Sequence, residues 1–139
     1  MRKPIVLAVL GVTTLLFGSM VTIPQASAAS LPTEKQCKKA KNLDQVTQGW
    51  CVAITRKKGN CLACHAIEVK GWPKDLPAAG NIGPPLVSMK DRYKDRAKLR
   101  AQVWDSTVAN PETVMPPFGR NKILTETEID RIVDFLLTI

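Results

Sequence analysis

The chain has 139 residues, of which 45% are hydrophobic and 5% aromatic, with a formal net charge of +8, 4 cysteines and 1 histidine. That length allows one small domain with a thin core, so cohesion beyond apolar packing is needed, and it leaves no room for a second large domain. A basic balance points to acidic partners, anionic surfaces or simple solubility, and in an exported protein it argues against nucleic acid as a partner.

Export is what the first residues indicate. Arg2 and Lys3 precede an apolar run from Ile5 to Ile23, and Ala26-Ser27-Ala28 is the small-x-small pattern of a cleavage site. The alternative, a permanent anchor, is weakened by Thr13, Thr14, Gly18, Ser19 and Thr22 within the run and by the lack of a basic stop-transfer cluster after it. Residues 1–28 therefore read as a signal peptide, and no membrane span is expected after its removal. Residues 29–42, rich in lysine and opening with Leu31-Pro32, read as an irregular arm or short helical turn. The remaining domain is expected over residues 43–139.

Its first helix is predicted over Leu43 to Lys58. Val46, Trp50, Ala53 and Ile54 share one face, Asp44 lies in the first turn, Arg56 to Lys58 at the end, and Gly59 stops it. Cys61-Leu62-Ala63-Cys64-His65 follows at once. C-x-x-C-H is a haem-attachment pattern: two thiols one turn apart can each add to a vinyl group of one haem, and the adjacent imidazole then reaches the iron. A thioredoxin-like dithiol would follow a strand, which is missing here, and zinc would need further ligands that a chain with one histidine and no zinc-knuckle spacing does not offer. Cys37 and Cys51 are left over. In an oxidising compartment such thiols pair, and a bridge closing about 15 residues contributes roughly 3 kcal/mol, tying the arm to the first helix.

Pro73, Pro77, Pro84 and Pro85, with Gly71, Gly80 and Gly83, make residues 68–86 a loop. A second helix is predicted over Asp95 to Thr107, carrying Leu99, Val103 and Trp104, and closed by Asn110-Pro111. The last helix opens on a capping box, Thr125 with Glu128, and carries the stripe Ile129, Ile132, Val133, Leu136 and Leu137. That stripe needs a partner, and the first helix is the natural one, with haem supplying the remaining apolar surface.

Iron held by His65 has a second face, and what fills it separates electron carriers from small-molecule binders. The candidates are Met89, Met115, a lysine amine, or nothing. A lysine would have to lose its proton, which is costly near neutral pH. Met115 precedes a proline, so its backbone is extended and no helix presents its side chain, which favours it as ligand; Met89 sits where a helix can begin and reads as packing.

Several segments together resemble SoxX, the small monohaem subunit of the SoxAX cytochrome of periplasmic thiosulfate oxidation. They are Gly59-Asn60-Cys61-Leu62-Ala63-Cys64-His65, Gly83-Pro84-Pro85-Leu86, the run Asn110 to Gly119, and Ile123-Leu124-Thr125 with Glu128-Ile129. The run N-P-E-T-V-M-P-P-F-G followed by I-L-T is the most specific of these. The resemblance implies an all-α class I cytochrome c fold, with N- and C-terminal helices crossed and one covalent haem c between loops. It also implies Cys61 and Cys64 as thioether sites, His65 and Met115 as axial ligands, and a hydrogen bond from the His65 ring to the Pro84 carbonyl. For function it implies SoxA as partner, SoxYZ as the carrier whose cysteine is coupled to thiosulfate, and electron acceptance by this chain while the chemistry takes place at SoxA. No base or nucleophile with a partner is evident, so no catalytic residue is assigned.

Lys90, Arg92, Lys94, Arg96, Lys98 and Arg100 form a basic stretch that reads either as a solvated helix approach or as a face steering acidic partners, with Arg92 a candidate to pair a haem propionate. Phe118 and Trp72 are candidates for docking SoxA near a haem edge, with burial in the monomer the alternative. Two further readings remain open: a free soluble cytochrome shuttle, and an open-site haem protein that binds small molecules.

Overall fold

The computed structural model describes residues 30–139, so the signal peptide expected over residues 1–28 lies outside the described residues. Five α-helices follow one another: α1 (Glu34–Lys39), α2 (Gln45–Ile54), α3 (Met89–Arg92), α4 (Arg96–Trp104) and α5 (Glu126–Leu136), with 3₁₀ turns at Cys61–Ala63 and Ser106–Val108. Among the described residues the β pairing is limited to an isolated parallel bridge between Ile67 and Leu86. The architecture is all-α.

The arm takes the helical option. Thr33 and Gln36 form a capping box that starts α1. Helix α2 begins one residue inside its cap: Asp44, extended at φ −64° and ψ 164°, accepts the Thr47 N–H at 3.0 Å. The run expected to reach Lys58 ends at Ile54 instead. Thr55 leaves helical geometry at φ −71° and ψ 118°, and its hydroxyl donates to the Cys51 carbonyl at 2.6 Å. The chain then turns, Gly59 donates to the Val52 carbonyl at 3.1 Å, and Lys58 pairs with Glu128 of α5.

Helix α5 starts on Thr125, whose hydroxyl accepts the Glu128 N–H at 3.2 Å while Glu128 accepts the Thr125 N–H at 3.0 Å. It buries Ile129, Ile132, Val133, Phe135 and Leu136. Phe135 thus completes the buried stripe; Leu137, expected in it, is the C-cap and only half-buried.

Helices α2 and α5 pack on each other more extensively than any other pair. Gly49 makes the crossing close: a Cβ there would overlap the Arg131 carbonyl and lie 2.9 Å from Phe135 Cβ. Beside it Trp50 is fully buried, edge-on to Phe135 at 5.5 Å and to Trp72 at 5.8 Å. Each such aromatic pair adds about 0.5–1.5 kcal/mol to the burial itself. The arm is fastened to the same place. Trp50 Nε1 donates to the Pro32 carbonyl at 2.8 Å, Leu31 N–H to Gly71 at 2.9 Å, and Cys37 is bonded to Cys51, their Cα atoms 5.6 Å apart. Trp72 is therefore part of this packing, and Phe118 is 6% exposed within the core. Phe118 is therefore not free for the docking role considered from sequence, while Trp72 is only half-buried.

The second predicted helix divides. Leu99 and Val103 are buried as expected, but Asp105 at φ −154° and ψ 90° ends α4, and its carboxylate caps the following 3₁₀ turn. The basic stretch is partly consumed by internal pairing. Arg96 meets Asp134 at 2.9 Å and Asp130 at 3.4 Å, and Arg100 meets Asp130 at 2.9 Å and Glu126 at 3.1 Å. These pairs hold α4 on α5, so the reading of the whole stretch as a free steering face is corrected for these two arginines.

Two outcomes follow from this packing. Gly49→Val should destabilise the protein by about 3 kcal/mol or more, because the obstacle is backbone on α5, read as a fall in urea midpoint. Partial burial acts to raise the Asp130 pKa, but Arg100 and Arg96 outweigh it and hold the carboxyl below its ordinary value. A depressed folded-state pKa gives stability above the ordinary carboxylate range that is lost as pH falls through the folded value. Arg100→Met should accordingly cost about 0.5–1 kcal/mol near neutral pH, and the difference from the parent should shrink as acidification protonates Asp130 in the folded protein.

Candidate haem-attachment and axial-ligand site

The C-x-x-C-H segment forms a compact turn. Asn60 enters it in the left-handed region, φ 47° and ψ 34°, which asparagine tolerates better than most residues. Cys64 and His65 both donate their N–H to the Cys61 carbonyl, at 3.1 and 2.9 Å. Cys61 and Cys64 are not disulfide-bonded and are half-buried as residues. Desolvation nonetheless pushes the Cys61 thiol up to about 12, with the neighbouring Cys64 adding to the rise. A reactive redox dithiol needs the opposite, a lowered thiol pKa. No group of three or more His, Cys, Asp or Glu able to hold a metal ion forms among the described residues, so a zinc cluster on these cysteines has no further ligands there.

Facing this turn runs the segment 80–86. Gly80 donates to Leu62 at 2.8 Å, Gly83 to Cys64 at 2.8 Å, Leu86 to Ala66 at 2.7 Å, and Glu68 back to Leu86 at 3.1 Å. The lacing brings the Pro84 carbonyl to 2.6 Å from His65 Nδ1. A carbonyl only accepts, so Nδ1 carries the proton and Nε2 keeps its lone pair. Gly83 lies flat against the ring, where a Cβ would come within 2.6 Å of Nδ1 and 2.8 Å of Nε2. Arg92, a candidate with its neighbours to pair a haem propionate, donates through Nη1 to the Pro85 carbonyl at 2.8 Å and so fastens this wall.

Met89 is 3% exposed, packed in the core at the start of α3, with its sulfur 3.4 Å from Arg92 Nη1. Met115 is half-buried on an irregular loop. Its N–H donates to Thr113 Oγ1 at 3.2 Å, and its carbonyl accepts from Ser106 Oγ at 3.0 Å. Sequence reasoning passed over Ser106, which is fully buried. Its signal was the D-S-T pattern after α4, which marks a capped restart of helix. A groove bounded by α1, Ile54 and the 75–78 loop reaches Leu62 and Ala63 but neither His65 nor Met115.

A c-type haem fits these residues: two thiols in one turn, an imidazole whose outer nitrogen is fixed and whose inner one is free, and a glycine wall against the ring. The cytochrome c family model matches residues 54–139. The crystal structure of SoxXA from P. pantotrophus is similar at a TM-score of 0.57 and 30% sequence identity, over 66% of this chain and 78% of that one. An uncharacterized lipoprotein of Aquifex aeolicus (strain VF5) is 36% identical over 80 residues, which are 58% of this chain and only 36% of that protein's length. With its crossed α2 and α5 and its C-x-x-C-H turn, the chain belongs to the cytochrome c family, as a SoxX-like electron-transfer cytochrome that carries covalently bound haem c.

Proposed function

We propose that this chain is the electron-accepting subunit of a SoxAX-type pair in the periplasm. It carries one haem c, joined through Cys61 and Cys64 and held by His65 and Met115. The observation that carries the reading is His65, with Nδ1–H engaged by the Pro84 carbonyl at 2.6 Å and Nε2 left to coordinate. Haem supplies a centre that takes up or gives up one electron without breaking a bond. The chain's own part is to fix the imidazole through Pro84 and Gly83, to prevent loss of the cofactor through two thioethers, and to offer a thioether sulfur from Met115. A methionine ligand raises the potential and closes the iron to other ligands.

The solved SoxXA relative supports SoxA as partner. Joining thiosulfate to a carrier thiol forms a sulfur–sulfur bond, releases the thiol proton and frees two electrons, which a one-electron carrier accepts in succession. SoxYZ is the carrier in this scheme. Export is supported by residues 1–28 and by the lipoprotein name of the Aquifex relative. The domain assigned to this role is 43–139, with 29–42 as an arm fastened by the Cys37–Cys51 bond.

Purified holo-protein mixed with SoxA, SoxYZ and thiosulfate should show haem reduction, and omitting SoxA or SoxYZ should abolish it. Reduction that does not depend on SoxA would instead identify a free shuttle. Separately, Met115→Ala should keep haem covalently attached, lower the midpoint potential, and bind cyanide or carbon monoxide at least tenfold more tightly, about 1.4 kcal/mol. A parent-like spectrum and ligand affinity in that variant would remove Met115 from the iron.

A further inference from the structure

The loop that carries Met115 is attached to the end of α4 at several points. Ser106 Oγ donates to the Met115 carbonyl at 3.0 Å, and Gly119 N–H donates to the Trp104 carbonyl at 2.9 Å. Arg120 Nη1 lies 2.9 Å from Asp105 Oδ2 and donates to Thr107 Oγ1 at 3.1 Å. Asp105 is 8% exposed and Ser106 fully buried, while Arg120 is exposed. A buried polar residue is costly unless its bonds are made. Asp105 and Ser106 are the buried polar side chains of the described residues and are adjacent; Ser106 bonds the methionine loop, and Asp105 caps its own turn through Oδ1 while Oδ2 meets Arg120 of that loop. Helix α4 breaks at Asp105 instead of running on, and that break is what turns Ser106 toward the loop.

We propose that Ser106 and the Asp105–Arg120 pair are positioning residues that set how firmly Met115 is held in the sixth position. The inference rests on the reading of Met115 as axial ligand. Prolines 116 and 117 restrict the loop's own backbone, but they do not fix where the loop sits relative to the rest of the protein. The two attachments do: one holds the Met115 carbonyl directly, and the other holds the segment just past Gly119. Loosening either lets the thioether leave more often, and an added ligand then finds the site open in proportion to that population.

The test is titration of the ferric holo-protein with imidazole, in the parent and in Ser106→Ala, Arg120→Gln, Met115→Ala and the double variant Ser106→Ala/Met115→Ala. The exposed Arg120 variant keeps the test usable if the buried Ser106 variant folds poorly. Ser106→Ala or Arg120→Gln should tighten imidazole binding on the order of threefold to tenfold, the scale of one hydrogen bond or of an ion pair with one partner exposed. Ser106→Ala should have no further effect once Met115 is absent. Parent-like affinity in both single variants, with Met115→Ala opened, overturns the positioning role and leaves the ligand reading standing. An unchanged Met115→Ala overturns the ligand reading and the inference with it. An effect of Ser106→Ala that persists in the double variant means general loosening of the fold and also overturns the inference.

Discussion

The close crossing of α2 and α5 at Gly49 is the contact on which the other parts of this small protein depend. With the Arg131 carbonyl where a Cβ would stand, the two helices approach at backbone distance, and Trp50 and Phe135 can meet edge-on beside the crossing. A thin core gains most from such an arrangement, because each large side chain buried there removes apolar surface worth roughly 1.5–3 kcal/mol from water. The same point receives the N-terminal arm, through the Trp50 indole on Pro32 and through the Cys37–Cys51 bond. Helix α4 joins through charge, with Arg96 and Arg100 on the acidic face of α5. Residues remote in sequence thereby make one rigid frame.

What this frame carries is two irregular walls, neither held by regular secondary structure. One is the C-x-x-C-H turn with segment 80–86 laced along it, and it fixes His65. The other is the methionine loop, attached to the end of α4 by Ser106, Trp104 and the Asp105–Arg120 pair. Buried loops would leave backbone groups without partners, so both walls satisfy theirs locally, by parallel main-chain bonds on one side and by side chains on the other. For an electron-transfer cytochrome such fixed dipoles are an advantage, since little of the surrounding protein has to reorganise when the charge on the cofactor changes.

Much of this was legible in the sequence wherever the signal is local. The α5 capping box and the C-x-x-C-H turn each lie within a few residues, and the structure places them accordingly, while α2, expected from Leu43, starts at Gln45 because Asp44 is its extended N-cap. Most of the misses are non-local. Arg96 and Arg100 read as a basic face because their acids, Asp130, Asp134 and Glu126, lie a whole loop away in the chain. Phe118 reads as a candidate for a surface because nothing near it in sequence shows that the core will cover it, and nothing near Trp72 shows that Trp50 will pack on one side of it. The early end of α2 has a different cause. The apolar face itself stops at Ile54, and the longer helix was expected from Arg56 to Lys58 and Gly59, but a threonine able to bond back to its own helix ended it first.

The two methionines of the domain show how backbone, more than residue type, assigns a role. Met89 and Met115 carry the same soft sulfur and stand in comparably irregular sequence surroundings. Met89 opens a helix after Ser88 in the left-handed region, which turns its side chain into the core, where it is 3% exposed beside Arg92. Such a site uses the flexibility of methionine to fill space. Met115 has no helix to orient it, and the following proline keeps its backbone extended, so its side chain is directed by the two hydrogen bonds its own peptide groups make, to Thr113 and Ser106. A loop held in that way packs one half-buried methionine against the core at low entropic cost, because the prolines have already removed most of the freedom the loop would otherwise lose.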